Sequence, residues 1–541
     1  MRWWGWAEPP EPIVVSRAGE RLILARLGMR EWARRRPVDL DAVTLPPPAL
    51  SDAALGALRD ALGEENVRTD RETRVRHAAG RSYPDLIRLR SGALESAPDA
   101  VVAPGSADDV ARILSICEES GVAVVPFGGG TSVVGGVDAE HSGFEAAITL
   151  ELARLDSLRV DRPSLLATAG AGLPARTAEA RLQARGLTLG HFPQSFEFAS
   201  IGGYVATRSA GQASTGYGRI DELVIGLRMV APAGTVEVRQ VPASAAGPSL
   251  RELLVGSEGV FGVITEATLA VRPLPAKRLY EGWSLPSFSA GAEALRELEQ
   301  AHVSPDVARL SDEEETEMGL ALSDTGSLAN RAARAYLGAR GHGRGCLVIA
   351  GFEGDAPDVA VRHARSRAIL SAHGGLRLGH RPGQAWLRTR YLAPYVRDAL
   401  LDGGVLVETL ETATTWSRLE EVHAAVGDGL RTALAEAGTR PLVACHVSHL
   451  YPSGASLYFT FMARAREGRE LEQWRAAKQA ASRAIVEHGA TITHHHAVGR
   501  DHARWMRQEI GDPGVAALRA AKERFDPRGI MNPGKLLPPE G

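Results

Sequence analysis

Three consecutive histidines, His494-His495-His496, form the densest titratable cluster in the chain. An extended backbone sends alternate side chains to opposite faces, so His494 and His496 would share one face while His495 points to the other. On that geometry three adjacent imidazoles do not converge easily on one metal. A second pair, His446 and His449, stands in Cys445-His446-Val447-Ser448-His449, just before the turn Tyr451-Pro452-Ser453-Gly454. Pro126-Phe127-Gly128-Gly129-Gly130-Thr131-Ser132 follows a short apolar run. Consecutive glycines there let backbone N–H groups approach a phosphate without Cβ interference, and Thr131 and Ser132 add hydroxyl donors. The loop lacks the GK[ST] ending of a nucleotide-triphosphate P-loop. Gly170-Ala171-Gly172-Leu173-Pro174-Ala175 imitates a dinucleotide fingerprint, but no acidic residue follows about 20 positions on at a strand end, so it reads as a structural turn. Arg397, as a lone arginine on a helix, reads more readily as a solvated surface charge, although its guanidinium fork is able to meet two phosphate oxygens. Taken alone, Tyr458 reads more readily as an aromatic in a core strand than as a catalytic group.

The elements that position these residues are also legible. Ser51 caps a helix with Leu55, Leu58 and Leu62 on one face. Ser106-Ala107-Asp108-Asp109 reads as a capping box before Val110, Ile113, Leu114 and Cys117, and Gly121 ends that helix. Short strands are expected at Val122–Val125, Ala146–Leu150, Leu165–Ala169, Val224–Val230, Thr235–Arg239 and Val263–Val271, with a hairpin turn at Ala233-Gly234. Strands mixed with helices and separated by glycine-rich turns give an α+β chain. Ser327–Arg344 reads as a basic, mobile loop. The tail from Asp501 is helical as far as Phe525-Asp526-Pro527.

Composition narrows the function. The 541 residues include 62 basic and 65 acidic ones, a net charge of −3, so no global basic field points to nucleic acid. The three cysteines, Cys117, Cys346 and Cys445, are far apart and odd in number, which excludes a disulfide framework and suits a reducing compartment. No stretch approaches the ~20 apolar residues of a membrane span. The opening Met1-Arg2-Trp3-Trp4-Gly5-Trp6 has no apolar core of a signal peptide. A cytoplasmic enzyme is the expectation, with peripheral membrane contact left open.

Five blocks in order carry a family resemblance. They are the 126–132 loop; Gln194-Ser195-Phe196-Glu197-Phe198-Ala199-Ser200 with Ile201-Gly202-Gly203; Thr207-Arg208-Ser209-Ala210-Gly211; Glu258-Gly259-Val260-Phe261-Gly262-Val263-Ile264; and the terminal Met531-Asn532-Pro533-Gly534-Lys535. The set resembles the vanillyl-alcohol-oxidase (PCMH-type) FAD-binding superfamily. Within it the chain most resembles the alkyldihydroxyacetonephosphate synthase family, through Arg2-Trp3-Trp4-Gly5-Trp6, Gly190-His191-Phe192-Pro193-Gln194-Ser195, Tyr217–Val224, Tyr395-Val396-Arg397-Asp398 and His494–Arg500. Gln194 stands where the family has an Asp, and Ser456 where it has a Cys two residues before the key tyrosine.

The resemblance implies an N-terminal helical extension (1–94), a two-lobed FAD domain (95–274), an α/β cap over the flavin (275–500) and a C-terminal segment returning to it (501–541). It implies FAD held without a covalent bond by Pro126, Phe127, Gly128, Gly129, Gly130, Thr131, Ser132, Gln194, Ser195, Ser200, Gly202, Gly203, Thr207, Arg208, Ser209, Ala210, Glu258, Gly259, Gly262, Val263 and Ile264. Tyr458, His494, His495 and His496 become catalytic, Arg397 and Arg309 bind substrate, and no metal is assigned. The implied reaction is redox-neutral. A flavin N5 adduct of acyl-dihydroxyacetone phosphate loses its fatty acid and takes up a long-chain alcohol, giving the ether bond of ether lipids. The expected partners are those two lipid substrates and a second copy of the chain. A rival reading is an FAD-linked oxidase or dehydrogenase of a 2-hydroxy acid or alcohol. Metal-assisted members of that class place histidines before a GDGN-type turn, and His446 and His449 approach such a turn without its Asp and Asn.

Overall fold

Ser106 opens the first helix of the cofactor region: its Oγ accepts from Asp109 N at 3.1 Å, and Gly121 closes the helix in the left-handed conformation (φ 65°). Asp109 turns its carboxylate to Gly105 N rather than back to Ser106, so the expected reciprocal box is displaced by one residue. Val110, Ile113, Leu114 and Cys117 are buried along one face of Ala107–Ser120, against a four-stranded sheet. That sheet runs Val67–Arg68, Ala100–Val102, Ala146–Glu151, Val122–Phe127, and its last two pairings are parallel. A second, antiparallel sheet runs Leu158–Asp161, Leu166–Gly170, Val263–Ala270, Val224–Ala231, Gly234–Val238. The two sheets share one core, so this region is two-lobed. Gly170 and Gly172 press on the backbone of residues 152–157, where no Cβ fits, which is the structural turn expected there.

The computed structural model describes residues 1–9, 16–322 and 327–539. Among these, a seven-stranded antiparallel sheet forms the cap: Leu376–Gly379, Lys277–Leu285, Cys346–Gly354, Val307–Ser311, Leu442–Tyr451, Gly454–Arg464, Val405–Thr415. Its helices Phe288–Gln300, Leu419–Glu436 and Glu470–Glu487 present Leu295, Leu298, Val422, Val426, Leu430, Ala477, Ala481 and Ile485 to a second large core. The N-terminal residues serve both cores, with Leu58 and Val67 in the first and Ile23, Leu27, Tyr83 and Leu86 in the second. After the helix Met506–Phe525 the tail returns to the cofactor region. Val124 donates to Ile530 O and Asn532 donates to Val124 O, both at 2.8 Å.

One expectation is overturned. Leu328–Ala339, within the stretch read as a loop, is a helix opened by Ser327, whose Oγ accepts from Asn330 N. Alanine, leucine and arginine are strong helix formers, and they outweigh the flanking glycines that gave the stretch its loop-like composition. No helix among the described residues is long and apolar enough to cross a membrane.

Candidate active site

Three glycine-bearing segments, two turns and one short helix, face one cleft. Its walls include Pro126, Phe127, Gly128 and Ser132 from the first, Gly202, Gly203 and Thr207 from the second, and Glu258, Gly259, Gly262 and Ile264 from the third. Glycine is needed for close approach at several of these points. A Cβ on Gly128 or Gly129 would overlap Ser200 Oγ or the Phe198 carbonyl, and one on Gly259, at φ 76°, would sit 2.8 Å from Pro126 Cγ. Ser200 caps the helix Ile201–Thr207 through Gly203 N at 3.2 Å. Gln194 is not among the residues lining this cleft: its Oε1 accepts from Gln212 Nε2 at 3.4 Å and its Nε2 is buried without a partner. The three segments fit a dinucleotide held largely by backbone N–H groups.

Other expected cofactor residues brace the cleft from behind. Ser209 Oγ and His191 Nε2 are 2.7 Å apart, and Ala210 is buried beside them. Arg208 turns away from the cleft. Its Nε donates to Val255 O at 2.9 Å and its Nη2 to Glu252 O at 2.7 Å. Gly130 takes φ 64°, Ser195 O accepts from Ala199 N, and Val263 is buried at the start of its strand. Gly136, Val137, Leu152 and Ala206 also line the cleft and were not singled out from sequence, since nothing but the fold brings them there.

On the cap, sheet register sets the chemistry. Ser311, His446, Tyr458 and Glu411 pair in one row across four adjacent strands, so their side chains emerge on one face. The rings of His446 and Tyr458 stack with centroids 4.8 Å apart. His495 stacks on Tyr458 at 5.9 Å, and His496 meets it edge-on at 5.4 Å. Burial pushes the Tyr458 hydroxyl up to about 12, so it stays protonated near neutral pH.

The histidine triplet does not take the extended geometry on which the alternate-face argument depends. Residues 490–499 form bends and turns, because one carboxylate gathers their backbone. Glu411 accepts from the N–H groups of His494 (2.5 Å), His495 (3.1 Å) and His496 (2.8 Å), and from Thr493 Oγ1 (2.7 Å). The bent backbone brings His494 Nδ1 within 2.9 Å of His495 Nδ1, and both rings approach His449, at 4.9 and 5.1 Å between centroids. Nitrogens of His449, His494 and His495 therefore lie within 4.8 Å of one another, a grouping of two adjacent histidines with a third from the sheet. Burial lowers all these imidazoles, His496 to about 3, and outweighs the opposing pull of the Glu411 carboxylate, so they are neutral near pH 7. Burial acts to raise Glu411, but the positive charge the imidazoles take up in acid and the hydrogen bond from Thr493 outweigh it and hold the carboxyl well below its usual range.

A second carboxylate holds the other end of the same loop. Glu258, from the cofactor cleft, accepts from Val498 N at 2.8 Å and Gly499 N at 2.7 Å, and Asn532 Nδ2 donates to its carbonyl at 2.6 Å. The triplet is thus fixed between cap and cleft. Ser456, standing where a cysteine was expected, accepts from His449 N at 3.1 Å and steadies the bulge between Val447 and Leu450. The role of Glu411 was missed. Its only sequence signal is a glutamate inside the apolar strand Val405-Leu406-Val407-Glu408-Thr409-Leu410-Glu411.

The two arginines expected to bind substrate differ. Arg397, on the helix Ala393–Asp402, donates Nη1 to Arg81 O at 2.8 Å, while its Nε and Nη2 are buried and unpartnered. Arg81 N in turn donates to Ser132 O at 2.6 Å, which ties this arginine to the cofactor loop. Trp6 packs edge-on against Phe198 at 5.2 Å, and its backbone N–H donates to Asp398 at 2.6 Å. Arg309 is engaged within the protein: Nη2 donates to Glu315 Oε1 at 2.8 Å and lies 3.0 Å from His446 Nδ1.

Comparison with known proteins defines the class and then the family. A model described as FAD binding domain matches residues 98–239, and one described as FAD linked oxidases, C-terminal domain, matches residues 274–536. The chain is an FAD-dependent flavoprotein with the two-domain PCMH-type α+β fold. The alkyldihydroxyacetonephosphate synthase of Trypanosoma brucei brucei is 33% identical over 91% of this chain and 82% of its own length. That of Dictyostelium discoideum is 31% identical over 93% and 83%. A solved alkyldihydroxyacetonephosphate synthase structure superposes with a TM-score of 0.84 at 28% identity, covering 98% of both chains. The chain belongs to the alkyldihydroxyacetonephosphate synthase family.

Proposed function

We propose that this protein replaces the acyl chain of acyl-dihydroxyacetone phosphate with a long-chain alcohol, without net oxidation. The observation that carries the reading is Arg397, whose Nε and Nη2 are buried donors with no partner. Buried donors left unsatisfied are costly, and a guanidinium edge of this kind matches two oxygens of a phosphate. Bound FAD supplies the electron-rich ring beside which the chains exchange, and the three glycine-bearing segments hold it.

The remaining work falls to the cap row. Arg397 anchors the phosphate and so fixes the keto group and its neighbouring carbon. The neutral imidazoles of the triplet take a proton from that carbon. Tyr458, protonated near neutrality, donates to the departing carboxylate and accepts from the incoming alcohol. Arg309 acts by holding Glu315 and His446 in place beside the tyrosine. Contact with a membrane surface belongs to the same reading. Leu320, Leu328 and Tyr336 are exposed, near Arg331, Arg340 and Arg344, on a stretch that would meet lipid substrates.

The test is incubation of the holoenzyme with palmitoyl-dihydroxyacetone phosphate and labelled hexadecanol, with no electron acceptor. Labelled ether product and one released palmitate per turnover are expected. Bleaching of the flavin by glycolate or lactate, with no ether formed, would favour the oxidase reading instead.

A further inference from the structure

The His494 ring makes two hydrogen bonds, and together they form a continuous chain. Its Nε2 lies 2.6 Å from the Tyr451 hydroxyl, and its Nδ1 lies 2.9 Å from His495 Nδ1. His495 stacks on Tyr458 at the centre of the cap row. At the other end, Tyr451 sits half-buried at the tip of the 442–464 hairpin, beside the exposed Pro452 and Ser453. Arg219 hydrogen-bonds to its side chain, and Arg219 is itself paired with Asp221 at 3.0 Å. The chain therefore runs from the reacting centre to the rim of the sheet.

Two neutral imidazoles in Nδ1–Nδ1 contact must divide the roles, one donating and the other accepting. Each arrangement fixes every other proton in the chain. In one, His495 Nδ1–H donates to His494, and His494 Nε2–H donates to the Tyr451 oxygen. In the other, Tyr451 O–H donates to His494 Nε2, and His494 Nδ1–H donates to His495. They differ only by a shift of each proton one place along.

We propose that Tyr451, His494 and His495 form a proton relay between the substrate carbon and solvent. The inference rests on the synthase reading above. His495 Nε2 takes the proton from the carbon next to the keto group, whose C–H electron pair remains on the substrate as an enolate. His495 Nδ1–H passes to His494, His494 Nε2–H passes to the Tyr451 oxygen, and the original Tyr451 hydroxyl proton leaves to water. Returning a proton to the substrate reverses each step and resets the chain, so no oxidant or reductant is needed. Ser214 Oγ, 2.5 Å from His449 Nδ1, fixes the third imidazole beside the pair.

The same three histidines could instead hold a transition-metal ion. Two nitrogens sharing a tetrahedral zinc would stand about 3.3 Å apart, whereas the 2.9 Å observed is a hydrogen-bond distance.

The experiment follows deuterium uptake from D2O into palmitoyl-dihydroxyacetone phosphate, with no alcohol added, alongside ether synthesis with alcohol. Wild type should do both. Tyr451→Phe keeps the ring and should retain FAD and substrate KM while taking up deuterium at least about tenfold more slowly. His494→Gln should slow uptake similarly, and it supplies the reading should Tyr451→Phe lose flavin. Wild-type uptake in either flavin-loaded variant overturns the relay and leaves the synthase reading standing. One zinc-class ion per chain by elemental analysis, with activity lost to a chelator, also overturns it. Failure of wild type to form ether overturns the synthase reading itself.

Discussion

The cofactor cleft and the cap row are built on opposite principles. The cleft is made from short contiguous segments, each carrying its own glycines, so the residues that mark each piece lie within a few positions of one another. The cap row draws one residue from each of four strands, and its loop is shaped by a carboxylate some 80 residues earlier in the chain. A local segment fails when its own backbone is blocked. A row set by register fails chemically while its scaffold survives. Substitutions in the two regions should therefore separate cofactor loss from loss of chemistry.

The largest effect is expected at the cleft. Gly129→Val places side-chain atoms against the Phe198 carbonyl, where even a single Cβ has no room. The purified variant should carry little flavin by its absorbance near 450 nm and show no ether synthesis. In wild type, acid precipitation should release the FAD into the supernatant. Full flavin occupancy in Gly129→Val would break the comparison at its root.

Arg397 comes next and lies on the chemical side. Arg397→Ala should retain FAD and lose essentially all ether synthesis. Arg397→Lys keeps the charge but not the fork, and most activity should go with it. Glycerol phosphate should compete with substrate in wild type and not in the alanine variant. Tyr458→Phe should likewise hold FAD normally, with turnover lower by ~10²–10⁴, the usual contribution of a positioned proton donor. Steady-state rates with flavin content measured on the same samples decide both. Equal loss of flavin and activity would mean that cap and cleft are not separable.

The smallest effect concerns the two carboxylates that hold the histidine loop, which shift in opposite directions. Burial raises Glu258 to about 7, against about 4.3 in an unfolded chain. Between those values the folded protein holds a proton that the unfolded one has released. Its contribution to stability is present below about pH 4.3 and is lost as pH rises through about 7. Glu411 is held below its ordinary range, so its contribution is present above about pH 4.3 and lost on further acidification. In melting experiments on flavin-free protein from pH 5 to 8, Glu258→Gln should flatten a fall in stability seen in wild type. Glu411→Gln should lower stability throughout that range by about 3 kcal/mol, since it leaves several N–H donors without a charged acceptor. An unchanged pH slope in Glu258→Gln would remove the assigned role of that group.

How much was legible follows the same division. The 126–132 loop, the Ser106 helix and the strands of the cofactor region could be read from adjacent residues, because turn glycines, caps and alternation act over a few positions. Tyr458 and Arg397 were singled out by motif, yet nothing near either indicated a partner. The triplet was weighed only for the case of an extended backbone, and the bend comes from Glu411, which no local rule connects to it. Ser327–Arg344 was misread for the converse reason: glycines at its ends masked a helical middle.

What the order of residues settled unaided is therefore the set of turns, caps and apolar faces, together with an inventory of groups able to bind phosphate and move protons. Those properties depend on φ preferences and on neighbours within one turn or one strand. Folding in three dimensions settled which groups meet. Pairing of the strands at 307–311, 442–451, 454–464 and 405–415 aligned Ser311, His446, Tyr458 and Glu411. Burial made the imidazoles neutral, and two distant carboxylates bent the histidine loop into contact with Tyr451 and His449. Register and burial belong to the assembled sheet and core, and a one-residue slip in any of those strands would turn its member of the row to the opposite face.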